Sequence, residues 1–124
     1  MTSPIVLLRV GVALLLFIHG AFRASTGGVA GFGEWLTSLG FPAGLAWAWA
    51  VTCLELAGAP LLAAGRFVIP IAAYLACQLV LGIALVHFPE GWFVVGGGRN
   101  GMEYSVLLVL CLVVIALDAR RQKA

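Results

Sequence analysis

Four apolar stretches, residues 4–22, 43–64, 67–88 and 102–118, take up most of this 124-residue chain. A helix that crosses a bilayer needs about 20 mostly apolar residues. Backbone groups in hydrocarbon have no water to bond, so a helix that satisfies its own amides is the natural element. Only 10% of the residues are charged, against about a quarter in soluble domains. A soluble chain this short could not hide a 63% hydrophobic composition, because small domains bury a modest share of their surface. The expected fold is therefore all-α: an integral membrane, four-helix, up-down bundle, with residues 1–124 forming one domain.

The links between the stretches differ in character. Gly65-Arg66 joins the second and third stretches, which predicts a tight antiparallel hairpin. Residues 89–101 form a glycine-rich turn; its Gly96-Gly97-Gly98 run has neither the lysine nor the hydroxyl of a phosphate loop. In the first link Phe32, Trp35, Leu36 and Leu39 recur at helical spacing between Gly31 and Gly40. This predicts a short amphipathic helix in the membrane interface between the first two spans. Four crossings place both termini on one side with Arg66, Arg120, Arg121 and Lys123. By the positive-inside bias that side is cytoplasmic. Trp35, Trp47, Trp49 and Trp92 then fall at the outer interface, where amphipathic rings settle. The first stretch is expected to be retained as a span, because Arg9 interrupts it and no small-x-small cleavage site follows.

Several function classes are disfavoured. Seven Lys and Arg against five Asp and Glu give a net charge of +2, too little for a nucleic-acid binder with a clustered basic face. Cys53, Cys77 and Cys111 lie in three different apolar stretches without C-x-x-C spacing. Buried free thiols acting as small hydrophobes are expected, and no dithiol or thiolate metal site.

An ionisable group in hydrocarbon costs about 2.5–3.5 kcal/mol on insertion scales, so such groups face inward and pair. The chain has few: Arg9, His19, Glu55, His87 and Glu103, with Gln78 as a neutral companion. Measured from the cytoplasmic ends of their helices, Glu55 lies about 13 Å deep and Arg9 about 8 Å. An Arg9–Glu55 pair is expected, either as a staple that fixes register or as a ligand clamp or proton relay. His19, His87 and Glu103 converge near the outer ends of three helices, flanked by Arg23 and Arg99. They form either a polar pocket or a set of headgroup-wetted residues. Two histidines alone do not specify a haem, and the spacing with Glu103 does not specify a metal site, so neither is expected. Gln78, about 180° around its helix from His87, is given no role.

The residues also resemble a family. Leu8-Arg9 leads to His19-Gly20. Trp35-Leu36 is followed by Leu39-Gly40-Phe41-Pro42, and Leu54-Glu55-Leu56 by Gly58. His87-Phe88-Pro89 precedes Gly91-Trp92-Phe93 and Asn100-Gly101-Met102-Glu103-Tyr104. In this order, on four apolar spans, the chain resembles the DoxX family of small prokaryotic membrane proteins over nearly its whole length. The turn at Gly65-Arg66 is shorter than is usual in that family. The resemblance implies a multi-pass protein of the prokaryotic plasma membrane, associated through partner subunits with quinone-linked redox complexes and with thiol stress. It carries no established catalytic residue; Arg9, His19, Glu55, His87, Glu103 and Tyr104 match the family's polar positions, and the resemblance implies that they line a shared cofactor-binding site.

The expected function is a membrane subunit or anchor of a redox complex, with quinone as the candidate ligand. No nucleophile–base pair makes the chain an enzyme alone. The alternative is a non-catalytic scaffold or assembly factor, with the polar residues as internal staples and function residing in lipid-facing small residues such as Ala46, Ala50, Ala57 and Gly58. A homo-oligomer is a further possible state. A small-solute carrier is third, since no inverted repeat is visible.

Overall fold

Ser3 caps the first helix: its hydroxyl accepts the Val6 N–H, and Pro4 sits where a missing N–H costs nothing. In this computed structural model, residues 3–94, 96, 98 and 100–123 are described. Five α-helices and no strand occur among them: α1 (Pro4–Ser25), α2 (Gly28–Ser38), α3 (Gly44–Ala63), α4 (Val68–Gly82) and α5 (Glu103–Lys123). A π-helical turn (Ile83–His87) and a 3-10 turn (Phe88–Glu90) prolong α4.

Three helical runs are long and apolar enough to cross a membrane: Pro4–Ser25, Gly44–Ala63 and Val68–Glu90. α5 has the length, but Glu103 opens it and Asp118, Arg120, Arg121 and Lys123 occupy its last turns. Its uncharged run is confined to residues 104–117, near the range of a buried core helix.

α1 packs on α3 and α5, and α4 packs on α5 and α3. Their shared core brings together Val12 and Leu16, Ala59 and Leu62, Leu75, and Leu108, Leu112 and Ile115. The α5 contributions fall at i, i+4 and i+7, one face of a helix. Outside this core the surface is apolar: Leu7, Leu14, Ile18, Phe22, Leu81, Leu107 and Leu110 are all exposed. Water would penalise so much contiguous apolar surface, and a bilayer suits it. Cys53 and Cys77 belong to this outer surface. The expectation that they are buried fails because an apolar stretch in a membrane helix has two apolar faces, only one of which looks inward.

The helix expected between the first two spans forms as α2. It docks on α3: Val29 and Leu36 join Ala48 in a second small core, with Phe32 and Trp35 packed against it. The docking is close enough that a Cβ on Gly33 would lie 2.7 Å from Leu45 Cα. The hairpin at Gly65-Arg66 is as tight as expected. Arg66 N–H bonds to Leu61 O and Gly65 N–H to Leu62 O, the Schellman closure, with Gly65 at φ +79°.

Candidate functional site

The site grows from a close approach of α1 and α3. Gly20 lies directly against Glu55: a Cβ added there would be 3.2 Å from Glu55 Cβ. This brings the α3 carboxylate level with the last turns of α1. Arg23, three residues further on, crosses to α3. Its Nη1 donates to Glu55 Oε1 at 2.6 Å and to Thr52 Oγ1 at 3.2 Å. Thr52 in turn donates to Ala48 O at 2.8 Å. The guanidinium lies over the Phe32 ring of α2, 5.1 Å from its centroid, in cation–π geometry. One arginine thus ties α1, α2 and α3 together.

Glu55 is 1% exposed and Arg23 16%. Charges this deep are tolerated when paired and hydrogen-bonded. The pairing is incomplete on one side: Glu55 Oε2 is buried and has no partner among the described residues. On α4, Gln78 Oε1 is in the same condition. Two interior acceptors therefore retain capacity for a donor.

The expected Arg9–Glu55 pair does not form. Arg9 reaches the carboxyl end of α3, where its Nη2 donates to Ala63 O at 3.5 Å. The expectation assumed that α1 and α3 end flush. In fact Arg9 is level with Ala63 and Gly65, eight residues beyond Glu55. That is about 12 Å of helix, too far for an arginine side chain.

His19, one turn before Arg23 on α1, lies within electrostatic reach of Arg23, Glu55 and His87. Tyr74 on α4 lies within reach of Glu55. His87 closes the π-helical turn, and its Nδ1 donates to Asn100 O at 2.9 Å. With the proton held on Nδ1, the other ring nitrogen of a neutral His87 is an acceptor. The π-helical turn inserts an extra residue into the helix and turns His87 by about 100° from an unbroken α-helix. The half-turn separation from Gln78 expected from sequence falls to about 80°. Glu103 holds the start of α5 in place, its Oε1 accepting Val94 N–H at 2.8 Å. Tyr104 follows it and is exposed. Arg99, expected to flank the cluster, lies outside the described residues, as does Gly97 of the glycine run.

The structure thus joins Arg23, Thr52 and Glu55 by hydrogen bonds, with His19 and Tyr74 within electrostatic reach of Glu55, and leaves Arg9 apart from them. Thr52 and Tyr74 escaped the sequence reading, and Arg23 was expected beside the histidines but not paired with Glu55. A signal for them exists in the spacing: His19 and Arg23 are i, i+4 neighbours, Thr52 and Glu55 are i, i+3, and Tyr74 and Gln78 are i, i+4. Each pair puts two polar groups on one face of an otherwise apolar helix. Among the described residues no group of three or more His, Cys, Asp or Glu could hold a metal ion. The cluster offers hydrogen-bond donors and acceptors of both charges, suited to gripping a polar head and moving protons to or from it.

Comparison with curated proteins and with solved structures gave no match in either case. The DoxX family model matches residues 5–88. That span holds α1 to α4 together with the Arg23–Glu55 pair, His19 and His87, and the chain belongs to the DoxX family.

Proposed function

We propose that this protein is a membrane subunit of a redox complex and that the Arg23–Glu55 centre receives the head of a quinone. The reading includes four crossings, with α5 as the fourth span and both termini on the cytoplasmic side, where Arg66, Arg120, Arg121 and Lys123 gather. The observation that carries it is the ion pair itself. A charged pair is kept inside an apolar bundle, beside an exposed histidine, with the second carboxylate oxygen of Glu55 unbonded. A purely structural staple would be expected to use both oxygens, since an unsatisfied buried acceptor costs about 1–3 kcal/mol. Quinone carbonyls need donors, which Arg23, His19 and Tyr74 supply. The reduced form carries hydroxyls, which Glu55 Oε2 and Gln78 Oε1 can accept. The protein would hold the quinone for partner subunits that supply the electrons.

The test is native mass spectrometry of the protein purified in mild detergent, joined to quinone-dependent electron transfer in membranes. Wild type should retain quinone, while His19→Ala and Glu55→Gln should insert normally and lose both retention and electron transfer. Wild-type behaviour of both variants would refute the reading.

One observation favours a second reading. Ala46, Ala50 and Ala57 form an exposed line of small residues along α3, the kind of surface on which membrane helices approach closely. A non-catalytic scaffold would use that line, and replacing Ala50 by Leu would then abolish partner binding while leaving quinone retention untouched.

A further inference from the structure

At the end of the molecule opposite Glu55, a cavity of about 470 Å³ opens between α1, α4 and α5. This is within the roughly 300–1,000 Å³ range of small-molecule sites. Its lining includes Arg9, Phe67, Val68, Ile115, Asp118 and Lys123. The lining combines aliphatic and charged side chains.

Arg9 is the unusual member. Its Nε is buried and donates to nothing among the described residues. Its hydrogen bond to Ala63 O is long at 3.5 Å. The carboxylate nearest in the lining does not neutralise it: Asp118 forms no ion pair with Arg9 and accepts instead from Gln122 Nε2 at 2.9 Å. A guanidinium near hydrocarbon without a counter-charge is costly. Here the lining carries two cations, Arg9 and Lys123, against the one carboxylate of Asp118, and a slot with aliphatic sides.

We propose that this cavity binds the phosphate of an anionic phospholipid, with Arg9 as the principal contact and Lys123 as the second. A planar guanidinium matches two phosphate oxygens at once. The aliphatic walls formed by Val68 and Ile115 take the first methylenes of the lipid. Arg66, Arg120 and Arg121, all exposed at this end, raise the local concentration of anionic lipid, as basic clusters on the cytoplasmic face do. The site depends on the membrane placement of the chain and is independent of what occupies the Glu55 centre.

The experiment is competition on the full chain in mild detergent, read by native mass spectrometry. The probes are phosphatidylglycerol, phosphatidylcholine and millimolar inorganic phosphate. Wild type should prefer phosphatidylglycerol over phosphatidylcholine by about tenfold, because both lipids offer the phosphate but phosphatidylcholine also brings a trimethylammonium cation to a site that already holds two cations. Arg9→Gln should erase the preference, and Arg9→Lys should restore part of it. Lys123→Gln, at an exposed position that folding tolerates, should lower it several-fold even where Arg9→Gln misfolds. Inorganic phosphate should not displace the lipid. Equal binding of the two lipids by wild type, or an unchanged preference in Lys123→Gln, would overturn the proposal. Displacement by inorganic phosphate would overturn the lipid and leave a free phosphate as the ligand.

Discussion

Two arginines on one helix have opposite fates. Arg23 meets a buried carboxylate, a threonine hydroxyl and an aromatic face on two neighbouring helices. Arg9, near the other end of α1, meets the carbonyl end of α3 and the wall of a cavity. Both are cations near hydrocarbon, where charge must be compensated. At the Arg23 end the compensation is internal and the spare capacity belongs to the acceptors. At the Arg9 end the spare capacity belongs to the donor. The same chemical need is met by a carboxylate within the chain at one end and by a helix carbonyl at the other.

The contrast can be tested by stability in detergent. The largest effect is expected for Arg23→Gln, which strands a buried carboxylate and should cost about 3–5 kcal/mol. Replacing both partners, as Arg23→Met with Glu55→Leu, should recover much of that loss. Gly20→Val comes next: its side chain would press on Glu55 Cβ, and overpacking of this kind costs about 1–3 kcal/mol. Phe32→Leu should lower stability by about 0.5–2 kcal/mol through the lost cation–π contact. The smallest effect is expected for Arg9→Gln, about 0.3–1 kcal/mol for a cation removed from a helix carboxyl end. Chemical unfolding followed by circular dichroism would rank all four. An Arg9 variant as damaging as the Arg23 variant would erase the distinction between the two ends.

Much of this fold can be read from residue patterns. The stretches 4–22, 43–64 and 67–88 correspond to α1, α3 and the prolonged α4, and the amphipathic run between Gly31 and Gly40 is α2. The stretch 102–118 corresponds to α5, which continues to Lys123 because nothing in Asp118 to Lys123 breaks a helix. The polar residues that matter were also visible, since ionisable groups stand out in apolar runs. Their pairing was not. Helix ends are set by caps and turns, but the level at which two helices meet is set by where small residues allow contact. Here that point is Gly20 against Glu55. Measuring depth from helix ends pairs Glu55 with Arg9; measuring it from the contact pairs Glu55 with Arg23. The changed direction of His87 was hidden for a similar reason, because an inserted π-helical residue leaves no periodic trace.

The most direct measurement is a pair of double-mutant cycles on unfolding free energy in detergent, one between Arg23→Gln and Glu55→Gln, the other between Arg9→Gln and Glu55→Gln. The structure predicts a coupling within about 0.5–3 kcal/mol, near the upper end, for the first cycle and none beyond error for the second. Coupling between Arg9 and Glu55, with none between Arg23 and Glu55, would contradict the account.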